Sequence, residues 1–416
     1  AASGRYIRTL FEEKDTAYVE PLQGPKFFGD DPDRFIWESR RDGFNHLYLY
    51  ESSGKMVKQI TGGPWEVTGF TGADPQGDMA WFLGNTGNPL ERHIYSVDIR
   101  KGAVKQLSSA PGTHSARVSD DGRYILATYS SVTVPRQTDL LDANGTRIET
   151  LLAAGDPLKE IRLGETSFVT LMASDGTELF ARLIKPTGFD PGKKYPVIIY
   201  VYGGPHSQLV TNTWLGGGGL FLNYLADRGF VVFSLDNRGT AGRGRGFEQA
   251  IFRNLGTVEV ADQMTGVKYL KGLSFVDTTR MGLNGWSYGG FMTISMMLKN
   301  PGVFKAAVCG GPVIDWKYYE VMYGERYMDT PESNPEGYRR ACLTNYVQNL
   351  TGKLLIIHDD QDGTVVPQNS VVFLKKCVDE GKQVDFFLYP GHEHNVRGKD
   401  RVHLNAKMAG YLEENL

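Results

Sequence analysis

The chain has 416 residues, of which 41% are hydrophobic and 22% are charged, and its formal net charge is −3 at neutral pH. This length suggests two or three domains, and the interspersed charges exclude the clustered basic surface of a nucleic-acid-binding protein. The longest apolar runs, such as 196–202, fall well short of the roughly 20 residues that a membrane-spanning helix needs. Three widely spaced cysteines indicate buried thiols rather than a disulfide framework or a zinc site: Cys309, Cys342 and Cys377.

Residues 1–155 consist of short predicted strands separated by polar turns, and this pattern repeats. A segment around His46 recurs 47 residues later around His93. A period near 45 residues is typical of β-propeller blades, and a three-unit β-meander is the alternative. Because three blades cannot close a ring, we expect a partial, N-terminally truncated propeller whose other blades precede residue 1. Equivalent strand positions stand 45 residues apart, at Phe35, Ala80 and Ile125.

Residues 156–416 show a different pattern. A hairpin is predicted over 166–186, and after it apolar runs of strand length alternate with segments of helix length. The runs show little polar alternation, which indicates parallel strands covered on both faces and therefore a doubly wound α/β sheet. The predicted strands of this sheet are 197–202, 231–235, 281–285, 306–309, 354–358 and 385–388.

The five residues from Gly285 to Gly289 form the pattern G-x-S-x-G, with Ser287 at its centre. The pattern follows a predicted strand and precedes a predicted helix over 291–298, which is the context of a nucleophile elbow. Such a turn raises the serine hydroxyl above the sheet, and the flanking glycines remove side chains that would collide with neighbouring elements. The sequence therefore predicts an α/β-hydrolase with Ser287 as nucleophile.

A serine nucleophile needs a histidine base and a carboxylate that orients the base. In this fold the acid follows a later strand and the histidine follows the last one. Chain order selects two loops but does not choose within them. The candidate acids are Asp359, Asp360 and Asp362, and the candidate bases are His392, His394 and, on a predicted helix, His403.

The oxyanion of such an enzyme needs two hydrogen-bond donors. One is expected to be the backbone N–H of Tyr288, the residue after the nucleophile. The other is expected from the loop at 202–205, through its backbone or through the phenol of Tyr202. The aromatic segment from Trp316 to Tyr327 is, on its composition alone, more typical of core or helix packing.

Together, the motifs at 285–290, 202–205, 358–362 and 389–394 resemble the prolyl oligopeptidase family of serine peptidases. The finer similarity is to its dipeptidyl peptidase IV branch, which includes bacterial prolyl di- and tripeptidyl peptidases. The similarity covers nearly all of 160–416 and, more loosely, the repeats before it. It implies Asp362 as the acid, His394 as the base and the Tyr202 hydroxyl as the second oxyanion donor. It also implies a proline-ring pocket lined by Tyr288, Val313, Trp316, Tyr319, Tyr323 and Val365.

The resemblance implies a serine exopeptidase that releases short N-terminal peptides by cleavage after proline, with no metal or organic cofactor. The expected partner is a peptide with proline near its N-terminus, and family members suggest a homodimer and, in bacteria, an exported or periplasmic protein. Two features depart from the branch. Glu12 and Glu13 lie in the wrong context to be its paired glutamates, which bind the substrate amino terminus, and Thr364 stands where Asn is common. The choice between dipeptide and tripeptide release therefore stays open.

Two alternatives to this function remain on the sequence alone. One is an esterase or acylaminoacyl peptidase of the same fold. The other is a binding protein whose propeller recruits partners and whose hydrolase domain is vestigial, which the intact Ser, Asp and His set argues against.

Overall fold

The computed structural model describes residues 5–20 and 23–416, which fold as two units. The first unit contains the described residues up to Pro157, together with Thr211–Trp214 and Gly242–Phe247, and the second contains the rest. No sequence pattern indicated that these two short segments belong to the first unit, and the division at residues 155 and 156 stays a prediction. Within the described ranges, no helix is both long and apolar enough to cross a membrane.

The first unit contains three four-stranded antiparallel sheets within the described residues, as expected for propeller blades. Phe35, Ala80 and Ile125 each lie in the second strand of their sheet, so the 45-residue repeat is confirmed. The strands are β1 Lys26–Phe27, β2 Arg34–Ser39, β3 His46–Glu51, β4 Met56–Gln59, β5 Val67–Ala73, β6 Met79–Gly84, β7 His93–Asp98, β8 Val104–Gln106, β9 Thr113–Val118, β10 Tyr124–Ser131, β11 Val134–Asp142 and β12 Arg147–Ala153.

The repeat extends to side-chain hydrogen bonds. The His46 ring nitrogen Nδ1 lies 3.1 Å from the Thr61 hydroxyl, and that of His93 lies 3.0 Å from the Ser108 hydroxyl. Each sheet also packs on its neighbour, because alternate strand residues are apolar and need a partner surface. The first two sheets share a core that includes Ile36, Leu47, Phe82 and Val97, and the next pair shares one that includes Trp81, Ile94, Ile125 and Leu141.

The second unit is built on an eight-stranded sheet in the order β13-β14-β16-β15-β17-β18-β19-β20, counted over the described residues. The first three strands pair antiparallel, and the remaining pairs are parallel, which confirms the predicted α/β sheet. Its strands are β13 Thr166–Met172, β14 Glu178–Ile184, β15 Tyr195–Tyr200, β16 Val231–Asp236, β17 Val276–Trp286, β18 Ala306–Gly310, β19 Lys353–Asp359 and β20 Asp385–Tyr389.

Helices cover this sheet, and its central strands are accordingly apolar. Strand β16 is buried at every position, as expected for a strand covered on both faces. Apolar residues of α1 and α8 pack with those of β15, β18 and β19 in one core, while α3 and α4 contact β17. The helices are α1 Gly219–Asp227, α2 Arg245–Glu248, α3 Val258–Lys271, α4 Tyr288–Lys299, α5 Val321–Met328, α6 Pro335–Ala341, α7 Gln368–Asp379 and α8 Asp400–Asn415.

Candidate active site

Ser287 occupies the sharp turn between strand β17 and helix α4, as the G-x-S-x-G pattern predicted. Its φ of 61° and ψ of −119° lie in a region that side chains other than glycine rarely adopt. The backbone N–H of Ser287 donates to the Gly310 carbonyl oxygen at 2.8 Å. A Cβ at Gly289 would collide with the Val201 carbonyl oxygen, so this close approach of backbones requires glycine.

Asp362 lies in the loop that follows β19, and its carboxylate is bound on both oxygens. Oδ1 accepts the backbone N–H groups of Thr364 and Val365 at 2.9 and 2.8 Å, and Oδ2 lies 2.7 Å from Nδ1 of His394. Of the three candidate acids, Asp362 is therefore the one that contacts a candidate base. Asp360 instead accepts the backbone N–H of Gly391 at 2.7 Å.

His394 lies in the loop that follows β20, and this loop is fixed beside the serine turn. The indole N–H of Trp286, the residue before Ser287, donates to the His394 carbonyl oxygen at 2.8 Å. The other two candidate histidines have different partners. His392 Nε2 lies 3.1 Å from Asp400, and His403 Nδ1 lies 2.7 Å from the Tyr389 hydroxyl.

The surroundings of Asp362 keep it ionised. Burial acts to raise its pKa, but hydrogen bonds from His358 and His394 outweigh that effect and hold the pKa well below its usual range. His358 itself is fully buried, with Nδ1 2.7 Å from the Ser370 hydroxyl and Nε2 2.8 Å from the Val365 carbonyl oxygen. The carboxylate is thus negative throughout the neutral range, which favours a protonated Nδ1 on His394.

The predicted pocket residues form a continuous group of rings near the serine turn. Trp316 stacks on Tyr323 with ring centroids 5.6 Å apart and an interplanar angle of 9°, and Tyr319 meets both rings edge-on. Tyr288 lies 5.4 Å from Trp316 and 6.0 Å from Tyr202. We call these five residues the aromatic cluster. The two remaining predicted pocket residues are fully buried: Val313 and Val365.

Family models match most of the chain. Residues 220–416 match the model of the prolyl oligopeptidase family, and residues 1–136 match that of the dipeptidyl peptidase IV N-terminal region. The chain belongs to the prolyl oligopeptidase family. The resemblance inferred from the sequence motifs is confirmed at the level of family and branch.

Individual relatives named as dipeptidyl peptidases support the same family assignment. Human dipeptidyl peptidase 8 is 32% identical over 425 residues, a match that covers 92% of this chain and 47% of the relative. A Bacteroides ovatus protein assigned as a dipeptidyl aminopeptidase IV has a TM-score of 0.93 at 44% identity, covering 97% of this chain and 60% of its own. Porphyromonas gingivalis dipeptidyl peptidase 4 has a TM-score of 0.89 at 33% identity, covering 94% and 56%. The chain spans about half the length of the curated relatives it matches.

In this member of the prolyl oligopeptidase family, two buried groups beside the site were not predicted from the sequence. One is His358, which contacts Asp362 from the end of β19 at 3.5 Å. The other is Glu259 on α3, which accepts a hydrogen bond from the Tyr288 hydroxyl at 2.6 Å. An acidic residue between two valines in a segment of helix length was a signal for Glu259, since a charge in an apolar setting requires partners. His358 is the first residue of the motif at 358–362, in which only the aspartates were predicted to act.

Proposed function

We propose that this protein is a serine exopeptidase that releases N-terminal dipeptides by cleavage after proline. The observation that carries the proposal is the 2.7 Å contact between Asp362 and His394 on a loop anchored beside the Ser287 turn. Relatives named dipeptidyl peptidases support release of two residues rather than three. Homodimerisation and export remain predictions from the family resemblance.

In the proposed mechanism, the Asp362 carboxylate holds the proton of His394 on Nδ1 and leaves Nε2 free to act as a base. Nε2 takes the Ser287 proton while the serine oxygen attacks the carbonyl carbon that follows the proline ring. The tetrahedral intermediate collapses when His394 gives its proton to the leaving amine, so that the C–N bond breaks and an acyl-enzyme remains. Water, deprotonated by the same imidazole, then hydrolyses the acyl-enzyme and restores Ser287.

The negative oxygen of the intermediate requires donors that are already in place. We assign this role to the backbone N–H of Tyr288 and the hydroxyl of Tyr202. Burial raises the pKa of Tyr202, so its hydroxyl stays protonated and remains a donor at neutral pH. The aromatic cluster offers flat walls to the proline ring, which brings no amide hydrogen that the pocket would have to satisfy.

The decisive experiment replaces the nucleophile in the full-length protein. We expect Ser287→Ala to abolish hydrolysis of dipeptidyl reporters that carry proline before the scissile bond. The matched control is Ser295→Ala, two turns along the same helix and fully buried, which should retain hydrolysis. Activity that survives in Ser287→Ala would contradict the mechanism.

A substrate panel tests the specificity separately. Tripeptidyl reporters, acylated peptides and simple esters complete the panel, and preferential cleavage of any of these contradicts dipeptidyl peptidase activity. Reaction of Ser287 with a fluorophosphonate, read by mass spectrometry, tests whether the hydrolase is competent. A protein that neither labels nor hydrolyses would support the vestigial alternative.

A further inference from the structure

Glu259 is a fully buried carboxylate for which the proposed mechanism has no use. It lies in the first turn of α3 and accepts three hydrogen bonds. Oε1 accepts the Tyr288 hydroxyl at 2.6 Å and the Gly256 backbone N–H at 2.9 Å, and Oε2 accepts the Thr257 N–H at 3.0 Å. Burying a carboxyl group is costly unless such donors offset the lost hydration. The two backbone bonds satisfy the start of the helix, but the bond to Tyr288 is not needed for that purpose.

Tyr288 is the residue through which Glu259 reaches the site. Its backbone N–H follows Ser287 directly, and its ring lies between Tyr202 and Trp316 in the aromatic cluster. A Cβ at Gly204 would come within 2.7 Å of the Tyr288 ring, so the backbone there also lies close against the ring. The ring therefore has neighbours on several sides, and the bond to Glu259 fixes its far end. Displacing the hydroxyl would move both a wall of the pocket and the backbone of a proposed oxyanion donor.

The turn that presents Glu259 is itself secured. Lys299, on the helix that begins after the nucleophile, is half-buried, and its Nζ donates to the Gly256 carbonyl oxygen at 2.6 Å. Its positive charge interacts favourably with the Glu259 carboxylate. Helix α3 and helix α4 are thus joined by the Lys299 and Tyr288 contacts, with Glu259 between them. The arrangement holds the Tyr288 ring from outside the pocket.

We propose that Glu259 is a positioning residue that sets the selectivity of the aromatic cluster for proline. It acts through the Tyr288 hydroxyl, by holding the Tyr288 ring against Trp316, at 5.4 Å between ring centroids, and so fixing one wall of the proposed proline pocket. This inference rests on the proposed function, since it concerns the same pocket. It predicts that loss of the hydrogen bond between Glu259 and Tyr288 widens the range of side chains accepted before the scissile bond. The rate of hydrolysis in general should be less affected.

The test compares the ratio of kcat/KM for reporters with proline and with alanine before the scissile bond. This ratio does not depend on the concentration of active enzyme, so partial misfolding leaves it unchanged. In the full-length protein we expect Glu259→Met and Tyr288→Phe each to lower the ratio about tenfold, the scale of discrimination by pocket fit. The ratio for the double variant should fall no further, because both changes remove the same hydrogen bond. Glu259→Gln, whose carbonyl oxygen can still accept from Tyr288, should keep most of the selectivity.

The control is Asp262→Asn on the same helix, which removes the ion pair between the buried Asp262 carboxylate and Arg238 and leaves the contact with Tyr288 in place. It should lower the melting temperature and leave the ratio within about twofold. A ratio unchanged in Tyr288→Phe would overturn the inference, even if Glu259→Met fails to fold. In that case Glu259 only stabilises the start of the helix.

The proposed peptidase function can be wrong while the inference about Glu259 is right, and a labelling experiment distinguishes the two cases. If the wild type cleaves neither reporter, the rates at which prolyl and alanyl diphenyl phosphonates label Ser287 give the same ratio. Selective labelling that is lost in Tyr288→Phe supports the role of Glu259 although peptidase activity is absent. Labelling without preference in the wild type contradicts both the proline pocket and the inference.

Discussion

The contact between Asp362 and His394 gives the sharpest prediction for a single residue. Asp362→Asn keeps the size of the side chain but removes the charge that holds the proton on Nδ1. We expect kcat for the proline reporter to fall about ten-thousand-fold, which is the typical loss when the triad aspartate of a serine protease is replaced by asparagine. The matched control is Asp360→Asn in the same loop, whose carboxylate accepts the backbone N–H of Gly391 in the neighbouring loop. Greater damage from Asp360→Asn than from Asp362→Asn would show that the acid has been assigned wrongly.

Asp359 leads to a prediction about pH and stability. It is fully buried, and neither of its carboxylate oxygens has a hydrogen-bond partner among the described residues. Burial, followed by the charge of Asp362, raises the pKa of Asp359 to about 6. The folded state therefore holds this proton more tightly than the unfolded chain, in which the group ionises near pH 4. Between about pH 4 and pH 6 this group lowers stability as the pH rises, and the loss is complete above pH 6.

Asp359→Asn removes that penalty, because the variant side chain cannot ionise. We expect the variant to be more stable than the wild type by about 2–3 kcal/mol at pH 7–8 and the difference to vanish near pH 4. Urea unfolding of both proteins at pH 4, 5, 6, 7 and 8 measures this directly. A difference that does not change with pH would show that Asp359 is ionised in both states or has a partner.

At the scale of elements, the turn between β17 and α4 depends on close backbone approach. Gly289→Ala places a Cβ against the Val201 carbonyl oxygen, so the turn must shift and Ser287 with it. We expect labelling by a fluorophosphonate to be lost and the melting temperature to fall. Gly410→Ala is the matched control, since Gly410 lies inside α8 with no atom near its missing Cβ. That change should stabilise the protein by about 0.5–1 kcal/mol, because alanine favours a helix. Retained labelling in Gly289→Ala would contradict the proposed strain.

Much of the element structure could be predicted from local patterns. The predicted strand 354–358 lies within the observed Lys353–Asp359, and the predicted helix 291–298 lies within Tyr288–Lys299. These segments are recognisable because burial on both faces leaves continuous apolar runs. A local pattern could not choose between His392 and His394. That choice depends on loop conformation, which is set by contacts such as the one from Trp286 to the His394 carbonyl oxygen, 108 residues apart in the chain.

The contact between Tyr288 and Glu259 shows a further limit of local patterns. The two residues are 29 positions apart and belong to different helices. In its local sequence, Tyr288 is simply an aromatic residue after a nucleophile, and Glu259 is simply an acid in the first turn of a helix. Only the packing of α3 against α4 brings them together, and that packing depends on side-chain volumes along the whole interface.

At the scale of the whole molecule, two short segments belong to a unit that could not be predicted from the sequence. Thr211–Trp214 and Gly242–Phe247 lie in the middle of the α/β region of the chain, yet they belong to the first unit. Asn212 donates to Glu91 at 2.6 Å, and the Gly242 carbonyl oxygen accepts from Asn85 at 2.7 Å. Composition does not distinguish such segments from ordinary loops, so a division of the chain by composition does not identify them.

The distribution of cysteines provides a test that reports on one unit alone. All three lie in the second unit, where they are buried and free of disulfides, as the sequence predicted. Burial raises the pKa of each thiol, to about 11 for Cys377, so thiolate is scarce at pH 8. We expect a thiol reagent to modify none of them within minutes in native buffer and all three in denaturant. Labelling during a urea titration then follows unfolding of the second unit, because the first unit contributes no thiol. A cysteine that reacts in native buffer at the rate of a free thiol would identify an element of this unit that opens without global unfolding.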